Sequence, residues 1–466
     1  MKRRSFIKTA GVVAAASSGA NVFANISFDQ QGLEIVLRGG KCFYQDKWQS
    51  PDIGIDADGK LKIGDANSLS AKKIIHVEGK TISPGFVDVL SDNTANPLHT
   101  YKIVERYKVT DGVTTALQMH GGSARTAEHY KAFGALPHYI NFGVSTAVMQ
   151  VRYSFSSPAE RRKRVEQCLE EGALGVSHSI EYQPTLYEET LEYAKLAKKY
   201  SRPMFLHLRY SSKEQELDGV DEAVRLAKDS GAHIHIDHLH STGGTYHMEA
   251  ALAKIQAANN AGLSMTCCVY PYSFWATYLH SKRFDEGWQQ RYGLKYNDLR
   301  LVGTGERLTA ESFRRYRGLK KLAAVPEGTL PLASTVDLAL QKDFCMIASD
   351  GGIEYESHAN SHPRGAGCFS TAVRHGLAIG LSLERILGKM TTLPRSVILP
   401  AMKDRGVLTN GAWADLVVFD VVRINGKATV ENPNQFSDGI EMVFVNGKLA
   451  YNAGQLYSTS GVAIRY

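Results

Sequence analysis

Two histidines, His207 and His238, each stand near the end of a short apolar run, residues 204–208 and 233–238. Between the runs, residues 221–228 carry apolar side chains at helical spacing, so the stretch reads strand, helix, strand. A connection of that length is a crossover and not a hairpin. The two strands are then parallel, and their C-terminal ends lie on one side of the sheet. Two imidazoles placed there can share a metal ion, because imidazole suits zinc and similar metals. As an isolated pair they serve equally well as hydrogen-bonded core histidines, and the order of the remaining chain decides between the two roles.

The elements that must position them follow from hydrophobic period and turn chemistry. Residues 33–38 alternate, Gly39-Gly40 turns and 41–48 returns, while 53–56 and 61–64 flank the hairpin pair Asp58-Gly59. Residues 414–420 and 442–445 are strand-like too, the latter followed by Asn446-Gly447. The middle alternates strand and helix instead. Strands are expected at 81–90, 114–119, 140–145, 175–179, 204–208, 233–238, 264–269 and 345–349, with helices such as 157–171, 188–199, 248–261 and 332–341 between them. Eight such units imply an α/β fold, a (β/α)8 TIM-type barrel over 83–400. A small β-sandwich domain is assembled from both chain ends, 25–82 and 401–466. A doubly wound sheet is the alternative, but it more often carries a Gly-rich phosphate loop after its first strand, and none is present. Barrels gather functional side chains at the C-terminal strand ends. Those positions hold His120 after the second strand, His178 in the fourth, His207 in the fifth, His238 in the sixth and Asp350 after the eighth.

Residues 1–24 stand apart. Arg3-Arg4-Ser5-Phe6-Ile7-Lys8 has the form of a twin-arginine signature, 9–20 are small and apolar, and Val22-Phe23-Ala24 suits signal peptidase. The expectation is a twin-arginine signal peptide and a mature chain that begins near Asn25. The protein is then periplasmic or otherwise exported, with no membrane anchor once the leader is removed. The formal charge of +7 falls when Lys2, Arg3, Arg4 and Lys8 leave, and no basic run remains that argues for nucleic acid. Cys42, Cys168, Cys267, Cys268, Cys345 and Cys368 show no CxxC spacing, so the sequence names no disulfide pair.

The order of ionisable residues along the strand ends resembles the amidohydrolase superfamily. Ser83-Pro84-Gly85-Phe86-Val87-Asp88, Gly112-Val113-Thr114-Thr115 and Ala348-Ser349-Asp350-Gly351 are similar to its segments at the first, second and eighth strands. His207-Leu208-Arg209, Tyr270-Pro271-Tyr272 and His362-Pro363-Arg364-Gly365 look like the D-aminoacylase branch, the N-acyl-D-amino-acid deacylases. The runs 112–117, 140–145 and 304–309 are most similar to members called N-acyl-D-glutamate deacylases. Two departures matter. The first strand of the superfamily usually ends in His-x-His, where this chain has Leu90-Ser91-Asp92. The bridging Cys or Glu of the branch is absent, and His120 is the nearest available ligand. The resemblance therefore implies one zinc, or another divalent metal, held by His120, His207 and His238, with the open position of a catalytic site. Asp92 is left as a weak ligand of a second metal or a helix cap.

What the resemblance implies about mechanism is equally specific. Asp350 takes the proton of a metal-activated water and returns it to the leaving amine. Tyr270 aids the metal in holding the oxyanion. Arg364 pairs with the substrate α-carboxylate. Arg209 serves a second acidic group or an internal ion pair. His240 lines the substrate site, and His362 binds substrate or the loop that positions Arg364. Trp275 and Trp288 shape a lid or wall. The implied substrate is a small N-acylated amino acid, D in the members it resembles, with its own chirality, acyl group and side chain left open. Cyclic-amide opening, dipeptide cleavage, deamination and an inactive exported metal- or ligand-binding homologue stay open. A homo-oligomer is allowed.

Overall fold

Apolar strand runs separated by amphipathic helices close into a barrel, described by a computed structural model over residues 32–91, 97–210, 212–328, 331–351 and 362–466. Residues 1–24, expected to be a leader, and Asp92 lie outside the described residues. The eight barrel strands are Phe86–Asp88, Val113–Ser123, Asn141–Ala147, Val176–Ser179, Met204–His207, Ile234–Ile236, Met265–Val269 and Cys345–Ile347. They pair in chain order, all parallel. The first and eighth meet through a parallel bridge between Ser91 and Gly351, and the Ser349 N–H donates to Asp88 Oδ1 at 3.0 Å. This nearly closed barrel is the fold that the strand–helix alternation implies.

Period two decides what each strand buries. Phe205, Leu117, Met119, Cys268 and Met346 fill the barrel interior, while Leu206, Ile234 and Ile236 pack outward against helix residues such as Val220, Leu226 and Leu252. The crossover helix Glu216–Ser230 buries Val220, Ala223, Leu226 and Ala227 along one stripe and stops at Gly231, whose φ of 66° suits a left-handed cap. Ser157 caps the helix Pro158–Glu170 by accepting the Glu160 N–H at 3.2 Å. All six cysteines are buried and free. Among the described residues no helix is long and apolar enough to cross a membrane.

The chain ends form two further sheets. One orders Leu61–Gly64, Asp52–Ile55, Leu33–Arg38 and Ala71–His76. The other orders Gln455–Leu456, Lys448–Asn452, Ile440–Val445, Leu416–Phe419 and Thr81–Pro84, so N-terminal and C-terminal strands share hydrogen bonds. Their common core joins Leu37, Ile53 and Ile55 to Leu416, Val418 and Phe444. The expected first strand, 81–90, is two strands in two sheets. The break falls at Gly85, whose N–H donates to the Asp415 carbonyl at 2.8 Å and where a Cβ would lie 2.1 Å from the Thr114 side chain. A second difference lies between the seventh and eighth barrel strands. There the chain builds an antiparallel sheet of Ala276–Tyr278, Leu322–Ala324 and Arg300–Leu301, with the short helices Trp288–Tyr292 and Ala310–Gly318. Trp288 stacks on Phe313 in this insertion, at 5.5 Å between ring centroids.

Asp415 ties the terminal sheet to the barrel. Its carboxylate pairs with buried Arg405, accepts from Asn141 Nδ2 at 3.1 Å and from the Asn446 N–H at 2.7 Å. Removing the charge leaves Arg405 buried without its counter-ion, and breaking such a pair costs about 3–5 kcal/mol. Asp415→Asn is expected to lower the urea midpoint by that stability while leaving the far-ultraviolet circular dichroism of the folded protein unchanged.

Candidate active site

The barrel carries its ionisable side chains to one mouth because all eight strands run the same way. His120 lies late in the second strand, His207 ends the fifth, His238 follows the sixth by two residues and Asp350 follows the eighth by three. His120, His238 and Asp350 present ligand atoms that all lie within 4.8 Å of one another. The His207 ring sits 5.8 Å from that of His120 and 4.9 Å from that of His238, measured between centroids. The three imidazoles gather at the mouth, and Asp350 Oδ2 comes within 3.9 Å of His238 Nε2.

Each ring is oriented by a bond at Nδ1. His207 Nδ1 meets the Leu208 carbonyl at 3.1 Å, His238 Nδ1 meets Ser241 Oγ at 3.0 Å, and His120 Nδ1 meets Asp237 Oδ2 at 2.7 Å. In each ring Nε2 is then the atom for coordination. Burial, reinforced by the neighbouring imidazoles and by arginines, holds His207 and His238 well below the ordinary histidine pKa. Both are neutral at pH 7, the state in which imidazole binds metal.

Two site residues occupy backbone that disfavours side chains. His238 has φ 29° and Asp350 has φ 48°, in the left-handed region. The His238 N–H donates to Cys268 Sγ at 3.1 Å, and the Gly351 N–H donates to Ser349 Oγ at 3.0 Å. Ser349 Oγ belongs to a buried triad in which Lys108 Nζ reaches Asp88 Oδ2 at 2.7 Å and Ser349 Oγ at 2.5 Å. Strain at the two strand ends is thus held by hydrogen bonds beneath the mouth.

Other expected residues fall differently. Arg364 lines the cavity, but its Nη2 donates to Asp350 Oδ2 at 2.8 Å and its guanidinium lies over the Tyr270 ring at 4.6 Å. It is the ion-pair partner of Asp350, where the sequence suggested only a substrate carboxylate. Arg209 does not line the cavity. It binds Glu222 through two bonds of 2.7 and 2.5 Å and the Thr185 carbonyl at 2.8 Å, the internal ion pair of its two candidate roles. Tyr270 lines the cavity, fully buried. His240 packs edge-on against Tyr270 at 4.1 Å, outside the cavity wall, and neither ring nitrogen has a hydrogen-bond partner among the described residues. Burial, with Arg364 nearby, pushes its pKa down to about 3. His362 stacks on Phe274 and accepts the Arg364 N–H at Nδ1, 3.0 Å, so it positions the arginine. His178 is a core histidine bonded to Thr185 Oγ1 at 2.7 Å. Leu90, where the resemblance expected a metal ligand, is wholly buried in the apolar barrel interior.

The cavity over these groups measures about 240 Å³. Trp275 and Arg283 of the insertion wall it. Arg283 is buried and donates from Nη2 to the Ser241 carbonyl at 3.0 Å. Sequence reasoning missed Arg283 because nothing local marks it, and missed Tyr182, whose ring lies 4.9 Å from that of His207. It also missed Asp237, although the alternation of His233, His235 and Asp237 is a visible signal that one strand face is polar.

No protein-family model matches the sequence. An N-acyl-D-glutamate deacylase of Alcaligenes xylosoxydans xylosoxydans is 28% identical over 90% of this chain and 93% of its own length. A D-aminoacylase of the same organism is 26% identical over 90% of this chain and 94% of its own length. The crystal structure of an N-acyl-D-glutamate deacylase from Bordetella bronchiseptica, complexed with zinc and a phosphonate mimic of the tetrahedral intermediate, superposes with a TM-score of 0.78. It is 23% identical and covers 93% of this chain and 100% of its own. Over nine-tenths of its length, then, the chain is similar to N-acyl-D-glutamate deacylases and D-aminoacylases, and it shares their barrel fold.

Proposed function

We propose that this chain is a metal-dependent hydrolase that deacylates an N-acyl-D-amino acid with an acidic side chain. The observation that carries the reading is the gathering of His120, His238 and Asp350 within 4.8 Å, beside His207, in a cavity also lined by Arg283 and Arg364. The donor set fits a divalent cation: imidazoles bound at Nδ1, two of them neutral at pH 7, and one carboxylate, all buried or nearly so. His120, His207, His238 and Asp350 would hold one ion, since Leu90 offers nothing to a second. Zinc, or a similar divalent metal, when bound supplies Lewis-acid polarisation of the scissile carbonyl and a source of hydroxide at neutral pH.

This chain's own groups do the rest. Asp350 takes the proton from the attacking water and delivers it to the leaving amine nitrogen. Burial keeps the Tyr270 hydroxyl protonated, and it donates to the developing oxyanion. Arg364 steadies the Asp350 carboxylate. With five N–H donors in a planar fork it can serve the substrate α-carboxylate at the same time. Arg283 is the second cation of the cavity wall and takes the role that Arg209, bound to Glu222, does not. Two buried guanidinium groups favour a linear dicarboxylic substrate over a cyclic amide or a nucleobase. The names of the relatives support glutamate and the D configuration. Trp275 and Tyr270 shield the reacting atoms from bulk water.

Purified protein is expected to hold about one equivalent of zinc or a similar metal by elemental analysis. His207→Ala and His238→Ala are expected to lose both metal and deacylase activity. Full activity after exhaustive chelation would end the metal-dependent reading.

Asp350→Asn keeps an oxygen at the site but cannot carry the proton. It is expected to retain zinc and to lower kcat by about 10²–10⁴.

Arg283→Ala is expected to lower kcat/KM about 10- to 100-fold for N-acetyl-D-glutamate, the loss of one charged hydrogen bond, and far less for N-acetyl-D-leucine. Equal losses on both substrates would assign Arg283 to packing.

We also infer export, from the Arg3-Arg4 leader. Replacing both arginines with lysine is expected to trap the precursor in the cytoplasm, and unchanged export would refute the leader.

A further inference from the structure

The sixth barrel strand breaks the rule that a barrel interior is filled by bulky apolar side chains. Ile234 and Ile236 face the helices, so His235 and Asp237 share the opposite, inward face, where His235 packs 4.3 Å from the Phe205 ring. Both are buried, at 0% and 1% exposure. Asp237 Oδ1 and His235 Nε2 have no hydrogen-bond partner among the described residues. A buried carboxylate with one oxygen unpaired is costly, and serine or asparagine would fill this place more cheaply. Such a group calls for an explanation other than packing.

Its other oxygen gives one. Asp237 Oδ2 lies 2.7 Å from His120 Nδ1. The second and sixth strands are not neighbours, since three strands separate them in the sheet, so the bond spans the barrel mouth. The Asp237 backbone is clamped at both ends: its N–H donates to the Leu206 carbonyl at 2.9 Å, and its carbonyl accepts from Thr242 Oγ1 at 3.3 Å. The next residue is His238 itself. One dipeptide thus supplies a ligand and the partner of another ligand. His207 and His238 are oriented by a neutral carbonyl and a neutral hydroxyl from nearby in sequence, whereas His120 is oriented by a carboxylate from across the barrel.

The geometry points to Asp237 as the positioning residue of the metal site, fixing His120 with Nε2 presented for coordination and raising the donor strength of that ring. This rests on the metal reading above. It assigns the site a support that compensates for the ligand lost at Leu90, since His120 becomes a strong ligand only when its ring is held and its Nδ1 proton is shared with a carboxylate.

The test is zinc affinity, measured by competition with a chromophoric chelator, together with the visible absorption of the cobalt-substituted protein and the melting temperature of the metal-free form. Asp237→Asn and Asp237→Ser are compared with wild type. The expected result is a zinc affinity about 10- to 100-fold weaker in both variants. The cobalt bands should shift, and the metal-free melting temperature should equal or exceed that of wild type, because a costly buried carboxylate has gone. Wild-type protein that takes up no zinc overturns the metal reading and this inference with it. Wild-type protein that binds zinc, with variants of equal affinity and unchanged cobalt bands, overturns this inference alone. A variant whose metal-free form melts far lower, with unchanged affinity, makes Asp237 a structural tie and also overturns it.

Discussion

Charge buried at the barrel mouth is the constraint on which the site depends. Asp237, Asp350, Arg283 and Arg364 are each at most 7% exposed, within a ring of neutral imidazoles. Such groups persist only when paired or coordinating. Asp350 answers to Arg364 at 2.8 Å, and Asp237 answers to His120 at 2.7 Å. Arg364 in turn is aligned by His362, which packs on Phe274. The chain of dependence runs from the aromatic floor of the insertion, through one backbone bond, to the Asp350 carboxylate.

The same mouth stores backbone strain. His238 and Asp350 both sit at positive φ, a cost of order 1–3 kcal/mol each. The left-handed turn aims a side chain from the end of a strand back over the barrel axis. What holds Asp350 there is the Lys108–Asp88–Ser349 triad, and the same triad closes the seam between the first and eighth strands. Closure of the barrel and placement of Asp350 are therefore one structural problem with one solution.

Legibility in the sequence follows the range of the interactions. The eight strands, their alternation and the shared terminal sheet depend on local period, so they could be read from residues 33–38, 204–208 or 414–420 without knowing what they touch. His120, His207, His238 and Asp350 were legible because parallel strands convert chain order into a common mouth. The pairings were not. Asp350 finds Arg364 fourteen residues on, and His120 finds Asp237 across 117 residues, pairings that no local pattern specifies. Arg209 looks like a substrate ligand beside His207 until the helix that follows brings Glu222 against it. Arg283 was hidden because its value depends on how the insertion folds over the cavity.

Charge balance explains why this mouth suits an anionic substrate. The two buried carboxylates and the two buried guanidinium groups cancel, and burial keeps the His207 and His238 imidazoles neutral. A divalent cation held by His120, His207, His238 and Asp350 makes the set doubly positive. A dicarboxylate restores neutrality in a cavity where low dielectric magnifies every unpaired charge. Leu90 fits the same balance. A second cation would leave the mouth more positive than a dianion can offset, and leucine fills that space with apolar volume continuous with Leu117, Met119 and Phe205. In the proposed reading the site holds one metal and an acidic substrate, Leu90 gives the first strand no ligand there, and Asp237 orients His120 from across the barrel.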